Sequence, residues 1–172
     1  MLQTTRLRQA GYTLIELLLY VAIIGILLSA VTAFFGATVD ARVKNQTINE
    51  VNMQGAYALE YIAQTVRNAT SVATPVAGAT DTQLTVVVPT ASLSPTIFNL
   101  TSGALQVKEG TATAVPLTGG KVQVTSLSVK NLTRSGTSGI VQISLTISRL
   151  NSTSRNEYDY QRTFTTSAAV RP

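Results

Sequence analysis

Cysteine and histidine are both absent from the 172 residues. Without cysteine no disulfide can staple the fold and no thiolate metal site can form. Without histidine the commonest general base and metal ligand is missing, so the plentiful serines have no ordinary triad to join. The eight acids are scattered and leave little for a carboxylate site. Charged residues make up 12% of the chain, against about a quarter in typical soluble domains. Ser, Thr, Asn and Gln take their place. The formal net charge is +5 and falls to +3 if Arg6 and Arg8 are removed. So modest a balance argues against nucleic acid as a partner. No proline precedes Pro75, so nothing in the first 74 residues has to break a helix.

What is present is concentrated near the N-terminus. From Leu17 to Val39 run 23 residues without a formal charge, dominated by Leu, Ile and Val. As a helix rising about 1.5 Å per residue that run is roughly 34 Å long, enough to span a bilayer core of about 30 Å with some tilt. Arg6 and Arg8 precede it with no acid among the first 11 residues. That charge pattern keeps the leading end in the cytoplasm and sends the rest of the chain outward. Two cuts are then open. A secretory cut after Val31-Thr32-Ala33 discards the apolar run. A cut after Gly11 retains it. Glu16 bears on the choice, because a carboxylate driven into the bilayer costs roughly 2.5–3.5 kcal/mol on insertion scales. A disposable signal has no use for that cost, although the helix N-terminus eases an acid held at headgroup depth.

Gly11 followed by Tyr12-Thr13-Leu14-Ile15-Glu16-Leu17-Leu18 resembles the class III leader of type IV pilins and type II secretion pseudopilins. The resemblance covers about residues 6–40. It implies that a prepilin peptidase cuts after Gly11 and methylates Tyr12, which stands where the family usually has Phe. It also places Glu16 at the hallmark fifth mature position, where it pairs with the N-terminal ammonium of a neighbouring subunit during filament assembly. Charge considerations point the same way: a desolvated carboxylate needs a partner, and the α-amino group is the only cation near it within one subunit. Gly25, Ser29 and Ala33 recur every four residues, with Gly36 a turn further on. They put small side chains on one helix face, where another helix can approach closely. Many pilins carry a helix-loosening proline at the place that Ala33 holds here, so melting of the helix at that point is not expected. The lack of cysteine removes the C-terminal disulfide loop of many major pilins and favours a minor subunit.

Beyond Asp40 the apolar residues Ile48, Val51, Leu59, Ile62 and Val66 recur near helical spacing, with Gly55, Ala58 and Ala63 between them. The spacing predicts that the membrane helix continues outward as an amphipathic helix to about Asn68. After Pro75 the period changes to two. Leu84–Val88 reads as a strand, and Ile97–Thr101 with Ala104–Lys108 reads as a hairpin around Ser102-Gly103. Gly119-Gly120 precedes another strand containing Val122, Val124, Leu127 and Val129. Ser135–Gly139 is a flexible link to the clearest alternation in the chain, Val141, Ile143, Leu145 and Ile147. Asn151–Asn156 turns into a last strand at Tyr158–Ala168. The expected fold is α+β: a long N-terminal helix packed on one antiparallel sheet, as in pilins, with paired strands most like those of J-type or other minor pseudopilins. The expected divisions are a leader at 1–11, a membrane or filament-core helix at 12–39, an amphipathic half at 40–70 and a β head at 71–172.

Three constellations in the head invite chemistry and find simpler explanations. Glu157-Tyr158-Asp159 places two acids on one strand face without a third ligand, which suits edge protection better than calcium. Arg149, Arg155, Arg162 and Arg171 with Tyr158 and Tyr160 form a weak single-strand nucleic-acid pattern, better read as a solvated face. The sequons at Asn45, Asn68, Asn99, Asn131 and Asn151 are those that an Asn- and Thr-rich chain throws up by chance. No catalytic residue, cofactor or metal site is expected. The reading is a structural subunit of a pilus or pseudopilus. Its partners are the prepilin peptidase, other pilin subunits and the inner-membrane assembly platform. It is held by one pass of the bacterial inner membrane with its head outside the cytoplasm. The rival is a secreted or anchored β-domain binding protein or adhesin, with DNA binding during uptake as a variant.

Overall fold

The computed structural model describes residues 11–137 and 139–171. Arg6, Arg8 and the expected leader up to residue 10 lie outside the described residues. The chain divides into two compact units, one ending at Arg42 and one beginning at Val43, and helix α1 (Leu14–Arg67) contributes to both.

In the first unit α1 buries nothing, and its most apolar 18 residues have a mean hydropathy of 2.6. It is long and apolar enough to cross a membrane. Thr32 and Thr38 turn their hydroxyls back on the carbonyls of Leu28 and Phe34, each at 2.8 Å, so these polar tips are satisfied within the helix.

In the second unit α1 is amphipathic. Thr47, Val51, Gly55, Ala58, Leu59, Ile62, Ala63 and Val66 form its buried stripe. Ile48, expected on that stripe, is half-buried, and Thr47 takes the covered place. The helix ends at Arg67, one residue short of the expected close. Nine strands follow: β1 (Ser71–Thr74), β2 (Thr80–Asp81), β3 (Leu84–Val87), β4 (Thr96–Thr101), β5 (Ala104–Glu109), β6 (Val115–Pro116), β7 (Val122–Asn131), β8 (Ile140–Arg149) and β9 (Gln161–Ala169). All pair antiparallel, but in two sheets rather than the one expected, ordered β1-β3-β4-β5-β6 and β2-β7-β8-β9. The two meet where the Val124 N–H donates to the Gly103 carbonyl at the β4–β5 hairpin tip, 2.8 Å away. A register shift in β7 between Val124 and Ser126 marks the place. At that tip Ser102 and Gly103 have φ of 51° and 76°, the two left-handed positions that a tight two-residue hairpin needs.

The core lies between the helix stripe and the sheets. Val141, Ile143, Leu145 and Ile147 on β8 are fully covered, together with Val129, Leu84, Val86, Phe98 and Leu105. Asn131, 3% exposed, ties three segments. Its Nδ2 donates to the Pro75 carbonyl at 2.7 Å, and its Oδ1 accepts from the Thr133 N–H at 3.0 Å and from the Thr133 hydroxyl. Thr133 Oγ1 in turn accepts from the Ile140 N–H at 3.0 Å.

β9 begins three residues later than expected, because Asn156–Tyr158 forms a 3-10 turn. The Lys44 ammonium fixes that turn by donating to the carbonyls of Asn156 (3.1 Å) and Asp159 (2.6 Å). β9 is an edge strand running beside α1 in the same direction. Arg162 donates to Asn52 Oδ1 at 2.8 Å, the Phe164 ring lies over Gly55, and the Arg171 N–H reaches the Arg67 carbonyl at 3.3 Å. Bonds from Arg149 N to Tyr160 O and from Val170 N to Gly139 O bracket its ladder with β8. By antiparallel alternation, Gln161, Thr163, Thr165, Ser167 and Ala169 turn their backbone groups outward.

Candidate functional site

The candidate site is the start of α1, where the sequence places an acid, Glu16, at the head of an apolar run. Thr13 starts the helix. Its carbonyl accepts from the N–H groups of Glu16 (3.1 Å) and Leu17 (3.2 Å), and its hydroxyl accepts from the Glu16 N–H at 3.3 Å. Thr13-Leu14-Ile15-Glu16 is therefore half of a capping box. In the full motif the acid reaches back to the cap. Here the Glu16 carboxylate goes the other way and accepts from the Tyr20 hydroxyl, one turn on, at 3.2 Å. The Tyr12 ring meets the Tyr20 ring edge-on, with centroids 6.5 Å apart at 76°. Glu16 and Tyr20 stand four residues apart on one face of α1, and the ring of Tyr12, which precedes the helix, lies against that of Tyr20.

Glu16 is half-buried, and Gly11 and Tyr12 are exposed, the latter by 77%. The peptide between Gly11 and Tyr12 precedes α1 and has no helical bond to break. The expectation for Glu16 concerned a cationic partner, and the structure adds a neutral one. Tyr20 supplies a neutral donor, which relieves one oxygen and leaves the charge. Sequence reasoning missed both Thr13 and Tyr20, although the Thr-x-x-Glu box and the i, i+4 spacing were there to be read.

Further along, Ser29 donates to the Ile26 carbonyl at 2.7 Å. A methyl group placed on Gly25 or Gly36 would meet nothing within 4 Å. Packing among the described residues therefore gives no reason for either glycine. Gly25, Ser29, Ala33 and Gly36 are all exposed.

The other candidates have local roles. Glu157-Tyr158-Asp159 lies in and after a 3-10 turn, not on a strand. Its Glu157 accepts from Arg155 Nε at 3.2 Å, and its carboxyl is held below the usual value by a bond from its own backbone N–H, with Arg155 adding to the effect. Arg149 and Arg155 flank the Tyr158 ring at 5.4 and 5.6 Å, and Arg162 lies 5.2 Å from the Phe164 ring. Asn131, one of the five sequons, is buried, its Nδ2 donating to the Pro75 carbonyl and its Oδ1 accepting from Thr133. Among the described residues no three acids gather in a way that could hold a metal ion.

Residues 6–32 match the prokaryotic N-terminal methylation motif, the signal carried by type IV pilins and pseudopilins. The match covers the capped helix start, Glu16 and Tyr20, and stops short of every strand. No curated protein and no solved structure matches the chain.

Proposed function

We propose that a chain bearing this N-terminal methylation signal is a structural subunit, of the minor kind, of a type IV pilus or a type II secretion pseudopilus. Prepilin peptidase removes residues 1–11 by cutting after Gly11 and methylates Tyr12. Residues 12–39 then hold the subunit in the inner membrane, with residues 71–172 outside the cytoplasm and 40–70 completing their core. From there the assembly platform packs α1 into a filament of pilin subunits. The observation that carries this reading is Glu16, a carboxylate at the mouth of 23 uncharged residues inside the methylation motif. Its charge is matched by no cation of its own chain in the described helix start, so a neighbour's N-terminal ammonium is the fitting partner.

Gly25 and Gly36 support the same picture. Glycine inside a helix costs about 1 kcal/mol relative to alanine, and nothing among the described residues offsets it. A second helix lying against the Gly25, Ser29, Ala33 and Gly36 face would do so through close packing.

Two measurements test the reading. Intact mass of the membrane-derived protein should give a chain starting at a methylated Tyr12; a start at Phe34 would mean ordinary secretion and a binding protein instead. Glu16→Gln should leave the cut and the folded unit intact and strongly deplete, without abolishing, the subunit in sheared filaments. Normal amounts of that variant in filaments, expressed as the only copy, would reduce Glu16 to a tolerated headgroup-level acid.

A further inference from the structure

We propose that Tyr20 is the positioning residue for Glu16: its hydroxyl holds the carboxylate in place within the membrane until a partner's cation arrives. The proposal rests on the reading of Glu16 as the assembly group. From Leu17 to Leu28 every side chain is apolar except Tyr20. The one hydrogen-bonding group on that stretch thus stands one turn from the one acid, and the two are bonded at 3.2 Å.

The geometry suits a holding role in three ways. Thr13 caps the helix through its own hydroxyl, so the Glu16 side chain is not needed at the cap and is free to turn toward Tyr20. The phenol occupies Oε1 only. A carboxylate has about four acceptor positions, so Oε2 remains open to an incoming ammonium. The Tyr12 ring against the edge of Tyr20 limits where the phenol can swing. Tyr12 is also the residue whose amine the cut at Gly11 would release, four residues before the acid. In a lipid environment an unsatisfied polar group has no water to turn to, and a hydroxyl four residues away is the nearest remedy the chain has.

A bland role is available to Tyr20: phenol rings gather at membrane–water interfaces whatever their neighbours. That role needs the ring and an amphipathic tip but not Glu16. The full chain in its membrane separates the two. Tyr20→Phe keeps the ring and removes the donor; Tyr20→Leu removes both; each is combined with Glu16→Gln. Filament incorporation is read against the membrane pool. The infrared carboxylate band of Glu16, isolated as the difference between wild type and Glu16→Gln in lipid, is read alongside it.

Tyr20→Phe should shift the Glu16 band and lower incorporation about tenfold, in keeping with the strength of hydrogen bonds to charged groups. It should lower nothing further once Glu16 is Gln. An unmoved band, wild-type incorporation of Tyr20→Phe beside a defective Tyr20→Leu, or an equal loss in the Glu16→Gln background would each overturn the proposal. If Glu16→Gln itself assembles normally, the parent reading falls with it. If Glu16→Gln fails while Tyr20→Phe is normal, only the role of Tyr20 falls.

Discussion

Replacing Asn131 with alanine removes the knot that joins the Pro75 turn, the end of β7 and the start of β8. Three bonds disappear: from Nδ2 to the Pro75 carbonyl, and from the Thr133 N–H and hydroxyl to Oδ1. They are not equal in consequence. Thr133 is half-buried and water can replace its lost acceptor, whereas Pro75 is buried and its carbonyl is left without a donor. An unsatisfied buried group costs about 1–3 kcal/mol, and each replaced bond about 1. The expected loss is therefore about 3 kcal/mol, which for a unit of this size lowers Tm by roughly 10–15 °C. The assay is thermal unfolding of a soluble fragment beginning at Asp40, followed by circular dichroism. Thr133→Val should cost about 1 kcal/mol, and the double variant less than the sum, because both changes remove the same bond. A loss below about 0.5 kcal/mol for Asn131→Ala, within the range of ordinary surface changes, would show that the Pro75 carbonyl finds another donor and would refute the reasoning.

Three further outcomes are expected of the same fragment. Gly55→Ala gains about 1 kcal/mol of helix propensity, but its methyl would stand 2.6 Å from Cδ2 and Cζ of Phe164; overpacking costs about 1–3 kcal/mol, so Tm should fall by a few degrees, and a rise would mean the ring moves aside freely. The Tyr61 phenol is pushed above 10.0 by burial and then by its bond to Glu109. The neutral form is therefore favoured by folding, and its contribution is full below about pH 10 and lost as the pH climbs past it. Tyr61→Phe should flatten that alkaline decline in a urea titration, and an unchanged slope would assign the decline to other groups. Deleting residues 40–70 uncovers the sheet faces packed on α1, so the remainder should aggregate; a stable monomer on a sizing column would show that the helix does not complete the core.

The helix and the strongest strands were legible because their patterns are local. Val141 to Ile147 alternates cleanly, and the stripe from Val51 to Val66 repeats at helical spacing, so burial follows from periodicity alone. Ser102-Gly103 announced its hairpin through backbone chemistry. What escaped depends on distant partners. Strands β1, β2 and β6 have two to four residues, too short for a period, and exist because β3, β5 and β7 lie beside them. The division into two sheets depends on which strands pair across long stretches of chain, β2 with β7 and β1 with β3. The late start of β9 depends on Lys44, more than a hundred residues away in sequence. At the helix start Glu16 stood out by its charge beside an apolar run and Gly11 by resemblance, whereas Tyr20, which needed only a count of four residues, was read as one more member of that run.

The outer edge of β9 offers ten open backbone groups on five residues, with no proline and a single charge, Arg162, along its length. Such an edge invites a matching one. No other edge on the described residues is as long, so the natural match is β9 of a second copy. Joined antiparallel, the two strands would oppose their directions, and because each runs with its own helix the two helices would oppose as well. Joined parallel, the helices would lie on opposite faces of the merged sheet. Neither arrangement is open to copies whose helices lie side by side and point the same way. In the proposed filament, parallel stacking of the helices would therefore keep each sheet from growing into its neighbour's.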